Sequence, residues 1–270
     1  MSHAQVFLTR PEGRNGSVPQ RLRALGLRVS ELPALAVQPL TPTVLPAPEH
    51  YDVVVFVSRY AVQRYLALWA ENGGAVPHWP RETVAATVGA SSARALSAAG
   101  LPAGSIVHPP ADASAQDSEA LLEILQERGI RMRRVLIVRG TKGRQWLARN
   151  LTQRGSQVDF VPVYERVPAS WSAQTSSELA RALRFPEHCV FLLTSSEGVV
   201  ALAERLQSAG FLAAWARCAF IVIHERIGAT LQSVLASQRV DGVRRLALCT
   251  PDDDAIVEAI RAVAGPTAEP

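Results

Sequence analysis

Six short segments of this chain combine hydroxyls, small residues with accessible backbone amides, and cations. They are Thr9-Arg10, Ser58-Arg59, Gly89-Ala90-Ser91-Ser92, Arg139-Gly140-Thr141-Lys142-Gly143-Arg144, Thr194-Ser195-Ser196 and His224-Glu225-Arg226. Each follows a short apolar run. Such a donor set suits several carboxylates or phosphates held at once. The plainer reading of Ser58, Ser91 and Ser196 is that each caps a helix, and a capped helix start can still present N–H groups to an anion. Tyr164 follows an apolar run at 158–163, where its phenol can donate a proton, although tyrosine also packs at strand ends. Other chemistries lack their residues. There is no G-x-G-x-x-G, and the segment after Arg139 lacks the Walker spacing and its Lys-Ser/Thr pair. The histidines show no metal-ligand spacing, so no metal is expected. No G-x-S-x-G elbow surrounds Ser195, which makes it a poor nucleophile.

The elements that must carry these segments follow from hydrophobic periodicity. Apolar runs at 6–9, 53–57, 84–88, 135–138, 158–161, 190–193, 220–223 and 246–249 read as strands. Between them, 18–25, 59–71, 91–99, 117–128, 143–154, 196–209 and 225–236 read as amphipathic helices. Strands that are apolar on both faces and alternate with helices indicate parallel sheets in an α/β protein. The functional segments then fall at the carboxyl ends of strands, where open α/β sheets bind ligands. An internal repeat is visible: Arg10, Leu22, Gly26, Val29 and Pro33 recur at one constant offset as Arg139, Leu151, Gly155, Val158 and Pro162. Two related halves are therefore expected. Proline-flanked stretches at 32–42 and 161–168 read as extended connections between them.

Composition sets the outer limits. Of 270 residues, 48% are hydrophobic and 19% charged, and no apolar run approaches a membrane span of about 20 residues. A soluble, cytoplasmic monomer with no membrane partner is expected, since no secretory signal is visible. Cys189, Cys218 and Cys249 each sit in an apolar, strand-like run and suit buried thiols in a reducing compartment. The net charge is +4. The arginines are scattered and their densest cluster, 128–144, lacks interleaved aromatics, so no nucleic-acid partner is expected.

Taken together, the segments resemble the uroporphyrinogen-III synthase family. The resemblance rests on the order of Thr9-Arg10-Pro11 with Gly13, Phe56-Val57-Ser58 with Ala61-Val62, Val88-Gly89 with Ser92-Ala93, Arg139-Gly140 with Gly143-Arg144, Val161-Pro162-Val163-Tyr164-Glu165-Arg166, and Thr194-Ser195-Ser196. It implies two α/β domains, each a parallel β-sheet covered by helices, joined by a two-stranded hinge with a cleft between them. Domain one would comprise 1–35 with 170–270, domain two 40–163, and the hinge strands 36–39 and 164–169. It implies cyclisation of hydroxymethylbilane, a tetrapyrrole with eight carboxylates, to uroporphyrinogen III, with no cofactor. By the same resemblance Tyr164 is the favoured proton donor, and Ser92 and Ser195 occupy contact positions. Ile223-His224-Glu225-Arg226 departs from the small Gly, Pro and Thr residues of many relatives. Arg226 is then the better anion contact, while His224 is either a contact or a cap. A non-enzymatic two-domain binder of an anionic small molecule is the alternative.

Overall fold

The computed structural model describes residues 4–71, 79–110, 117–143, 145–243 and 245–265. In chain order the strands and α-helices are β1 (Gln5–Leu8), α1 (Val18–Ala24), β2 (Arg28–Glu31), β3 (Leu35–Pro39), β4 (Val53–Phe56), α2 (Arg59–Glu71), β5 (Val84–Thr87), α3 (Ala90–Ala98), β6 (Ile106–Val107), α4 (Ser118–Glu127), β7 (Arg134–Gly140), α5 (Trp146–Gln153) and β8 (Gln157–Pro168). They continue with α6 (Ala173–Ala182), β9 (Cys189–Leu193), α7 (Ser196–Ser208), α8 (Leu212–Ala216), β10 (Ala219–Val222), α9 (Glu225–Ser237), β11 (Arg245–Leu248) and α10 (Asp253–Ala264). The chain divides into two compact units, Met1–Ala36 with Val167–Pro270, and Val37–Arg166. It passes from one to the other within β3 and within β8.

Unit 1 is built on a sheet of order β11-β10-β9-β1-β2 with every pair parallel. Strand alternation sends Phe7 to one face and Val6 and Leu8 to the other. On the first face Phe7 stacks on Phe191 at 4.7 Å, and Trp215 meets Phe191 edge-on at 6.0 Å. On the second, Leu22 of α1 and Ile256 and Ile260 of α10 join Val6, Leu8, Val190 and Ile221 in one cluster. Because both faces are covered, the central strands β9 and β10 carry no polar alternation.

The larger sheet has the order β3-β8-β7-β4-β5-β6, parallel from β8 through β6. Val54, Phe56, Leu136 and Val138 pack with Val62 and Tyr65 of α2 and Leu96 of α3, while Val53, Val55, Val135 and Ile137 pack with residues of α4 and α5. β3 runs antiparallel to the end of β8: Leu40 N–H donates to Val163 O, and Ala169 N–H donates to Ala34 O.

The expected strands and helices form with boundary shifts, and three readings need correction. First, the strand expected to stop at Val163 continues to Pro168, so Tyr164 lies inside β8 rather than after it. Second, the helix expected from Gly143 begins at Trp146; Gly143, with φ of +153°, holds a backbone conformation side chains rarely adopt. Third, only Cys189 lies in a strand; Cys218 immediately precedes β10 and Cys249 follows β11. No helix among the described residues is long and apolar enough to cross a membrane.

Candidate functional site

Each sheet is wound in both directions from one point, and that point locates the candidate site. In the larger sheet the chain runs from β4 outward through β5 and β6, then returns to β7 on the other side of β4. The crossover helices therefore diverge above the carboxyl ends of β4 and β7 and leave a crevice there. In unit 1 the equivalent point lies between β1 and β9. The expected segments 58–59 and 139–143 stand at the first switch point, and 9–10 and 194–196 at the second. Segments 89–92 and 224–226 follow β5 and β10, one strand away.

The crevice of unit 2 is a cavity of about 430 Å³ lined by Val55, Val57, Ser58, Val88, Asp117, Ser118, Ile137, Arg139, Lys142, Gly143, Leu147, Ala148, Tyr164 and Arg166. It unites four of the expected residues: Ser58, Arg139, Lys142 and Tyr164. Tyr164 is 5% exposed, and its hydroxyl lies 3.4 Å from Ser58 Oγ. Ser58 Oγ also accepts the Ala61 N–H at 3.2 Å, so it caps α2 and touches the phenol together. The Tyr60 ring meets the Tyr164 ring edge-on at 5.2 Å. Gly140 is what lets the phenol sit there. Register passes from Arg139 opposite Pro162 to Gly140 opposite Tyr164 through a bulge, and a Cβ on Gly140 would stand 2.7 Å from Tyr164 Cε2.

Arg139 supplies the buried charge. It is 8% exposed, donates from Nε to the Gly140 carbonyl at 3.1 Å and lies 5.4 Å from the centre of the Phe160 ring. No carboxylate pairs with it among the described residues. A buried cation without a carboxylate is costly unless an anion arrives to meet it. Lys142 is exposed at the cavity mouth. The tyrosines sort by partner. Tyr51 donates to Asp159 and Tyr65 to the Pro46 carbonyl, and burial pushes both phenols above their ordinary pKa. These two are structural, which leaves Tyr60 and Tyr164 at the cavity end of the sheet.

The unit 1 segments are more fully committed to the fold. Arg10 pairs with Asp253 at 3.1 Å and donates to the Pro251 carbonyl at 3.1 Å, tying the β1 loop to the start of α10. Ser195 caps α7 by accepting the Gly198 N–H at 3.0 Å, and Ser196 accepts from Thr230 Oγ1 at 2.9 Å. Ser196 is thus in the first turn rather than the cap. Ser91 is also within its helix, where Gly89 is the capping position, and Ser92 beside it is buried. His224 is a cap: its Nδ1 accepts the Arg226 N–H at 3.0 Å. Thr194 is half-buried, and Arg59 and Arg226 are exposed. Arg144 lies outside the described residues. Asp117 and Arg166 are lining residues that sequence reasoning did not place in the site; a helix-start signal, Asp117 before Ser118, was the available clue to the first.

Two sheets, each wound about a switch point, with a cationic, tyrosine-bearing cavity at one of them, define an α/β protein of small-molecule chemistry. The family model described as uroporphyrinogen-III synthase HemD matches residues 17–239. The chain belongs to the uroporphyrinogen-III synthase family, enzymes of tetrapyrrole biosynthesis. It is 29% identical over 237 residues to the uroporphyrinogen-III synthase of Salmonella typhimurium, covering 82% of this chain and 88% of that one. The Escherichia coli enzyme of the same name is 26% identical over 233 residues, with the same coverage. A mutant uroporphyrinogen III synthase from Thermus thermophilus shares the fold with a TM-score of 0.56 at 17% identity, over 96% of this chain and 98% of that one.

Proposed function

We propose that this chain cyclises hydroxymethylbilane to uroporphyrinogen III, with loss of water and inversion of the terminal pyrrole ring, and that Tyr164 donates the first proton. The observation that carries this reading is the unit 2 cavity, where a buried phenol beside a serine hydroxyl faces the same space as a guanidinium with no carboxylate partner among the described residues. The phenol proton passes to the hydroxymethyl oxygen, and the C–O bond breaks with its electron pair leaving as water. The ring nitrogen lone pair fills the vacant carbon, giving a cationic azafulvene. The substituted carbon of the terminal ring attacks that carbon and forms a spiro intermediate. The older bond opens and leaves a second azafulvene cation on the adjoining ring; the free α-carbon of the terminal ring, across its nitrogen, attacks the released methylene and closes the macrocycle, and the proton that carbon loses returns to the tyrosinate. The balance is the bilane less one water.

Little of this chemistry demands a strong catalyst; direction matters more. Arg139 and Lys142, with the Ser58 hydroxyl in the unit 2 cavity, hold carboxylates so that the chain folds in the inverted sense. Segments 36–39 and 164–169, where the chain changes unit, are the hinge on this reading. The same reading makes the protein a cytoplasmic monomer acting on a small molecule, without nucleic acid. Incubation with hydroxymethylbilane and chromatographic separation of the oxidised products tests it: type III must form faster than the spontaneous type I. Type I alone, at the spontaneous rate, removes the proposal.

A further inference from the structure

The unit 2 cavity holds one group that an acidic substrate should not welcome. Asp117 lines it together with Arg139, Lys142 and Tyr164. Its Oδ1 caps α4 by accepting the Ala120 N–H at 3.0 Å. The cap accounts for a polar residue but not for a charge, because serine or asparagine caps as well; this chain uses Ser172 and Ser195 at α6 and α7. Neither Arg139 nor Lys142 pairs with Asp117 among the described residues. The cap engages one carboxylate oxygen, and the residue is only half-buried.

At roughly 20 Å³ per non-hydrogen atom in closely packed organic matter, a pyrrole with one acetate and one propionate arm fills about 300 Å³. The cavity, about 430 Å³ and open to solvent, has room for such a ring. One pyrrole makes two opposite demands: its carboxylate arms need cations, and its ring N–H needs an acceptor. Asp117 beside Arg139 and Lys142 meets both.

Building on the function proposed above, we propose that the unit 2 cavity is a one-ring subsite in which Asp117 is a catalytic residue: it accepts the N–H of the pyrrole bearing the hydroxymethyl group, Arg139 and Lys142 take that ring's carboxylates, and the Asp117 charge stabilises the cationic azafulvene. Asp117 keeps its charge throughout; the C–O electron pair still leaves with water, and the nitrogen keeps its proton. The stabilisation grows as the cation forms, so it lowers the barrier rather than only tightening binding.

The test uses the full chain and two probes: a monopyrrole carrying one acetate and one propionate, and a furan of the same substitution in which oxygen replaces N–H. Titration calorimetry on the unaltered protein should give at least about 10-fold preference for the pyrrole, because a site built to accept a hydrogen bond rejects the analogue lacking it. Asp117→Asn keeps the cap and should shrink that preference to under about 3-fold, while kcat for uroporphyrinogen III falls at least about 10-fold and Tm is held. Equal affinity for the two probes in the unaltered protein, no binding of the pyrrole, or unchanged kcat in a folded Asp117→Asn protein would each overturn the proposal. The probe comparison needs no variant. If these results go against it while type III product still forms, the subsite falls and the synthase reading stands; absence of type III product from the unaltered protein removes that reading instead.

Discussion

Replacing Gly140 with alanine tests the packing that places the phenol. The new methyl would stand 2.7 Å from Cε2, 3.0 Å from Cζ and 3.2 Å from Cδ2 of Tyr164. Restoring ordinary contact near 3.4 Å requires the ring to retreat by about 0.7 Å. The ring has little room, since Tyr60 meets it edge-on and it is itself 5% exposed. Overpacking of this kind costs about 2 kcal/mol, which in a chain of this size lowers Tm by about 5 °C. The same shift lengthens the 3.4 Å approach of the phenol to Ser58 or breaks it. Misplacing a reacting group by a fraction of an ångström lowers kcat by about 10- to 100-fold. The assay is paired: thermal unfolding of the variant, and its rate of type III product formation at saturating bilane. Unchanged Tm together with unchanged kcat would refute the packing argument. A lowered Tm with full kcat would show that the ring moved and that its position does not matter, which refutes the role given to Tyr164.

Tyr164→Phe keeps the ring and removes the proton, and should lower type III formation by about 10-fold or more with a rising share of type I product; unchanged turnover excludes the phenol from the mechanism. Arg139→Gln should raise KM for the bilane by about 10-fold while leaving Tm equal or higher, because it removes a buried charge that no carboxylate among the described residues answers; a large loss of Tm with unaltered KM would show that Arg139 serves the fold. Asp252 caps α10, and hydrogen bonds from the Thr250 hydroxyl and the Ala255 N–H hold its carboxyl below the ordinary value. The stabilisation is then complete above about pH 5 and is lost as pH falls through the depressed folded value. Asp252→Asn should flatten that acid limb in urea titrations below about pH 5, and an unchanged limb would contradict the assignment.

Fold class was legible because strands such as Val53–Phe56 and Cys189–Leu193 are buried throughout and must be apolar on both faces. Elements without that signature escaped. α6 has Leu179 as its buried residue, and β6 is two residues long. α10 carried a usable signal in its Asp252 cap and in Ile256, Val257 and Ile260 on one face. The continuation of β8 past Val163 was legible as an extended, proline-flanked stretch but not as one strand with the apolar run, because the charges of Glu165 and Arg166 interrupt that run. The candidate site was legible as donor types at strand ends, since those are local properties. Which donors remain available was not. Arg10 meets Asp253 across 243 positions of sequence, whereas Arg139 meets no carboxylate among the described residues, and nothing near either arginine announces the difference. Gly140 was legible as a candidate anion-binding amide, but not as the residue that makes room for an aromatic ring.

The most direct measurement of the central claim is the isomer ratio formed from freshly prepared hydroxymethylbilane with and without the protein. The account predicts predominantly uroporphyrinogen III at a rate proportional to protein concentration, and a collapse toward the spontaneous type I ratio in Tyr164→Phe at matched concentration. A type I product at the uncatalysed rate in the presence of the folded, unaltered protein would contradict it.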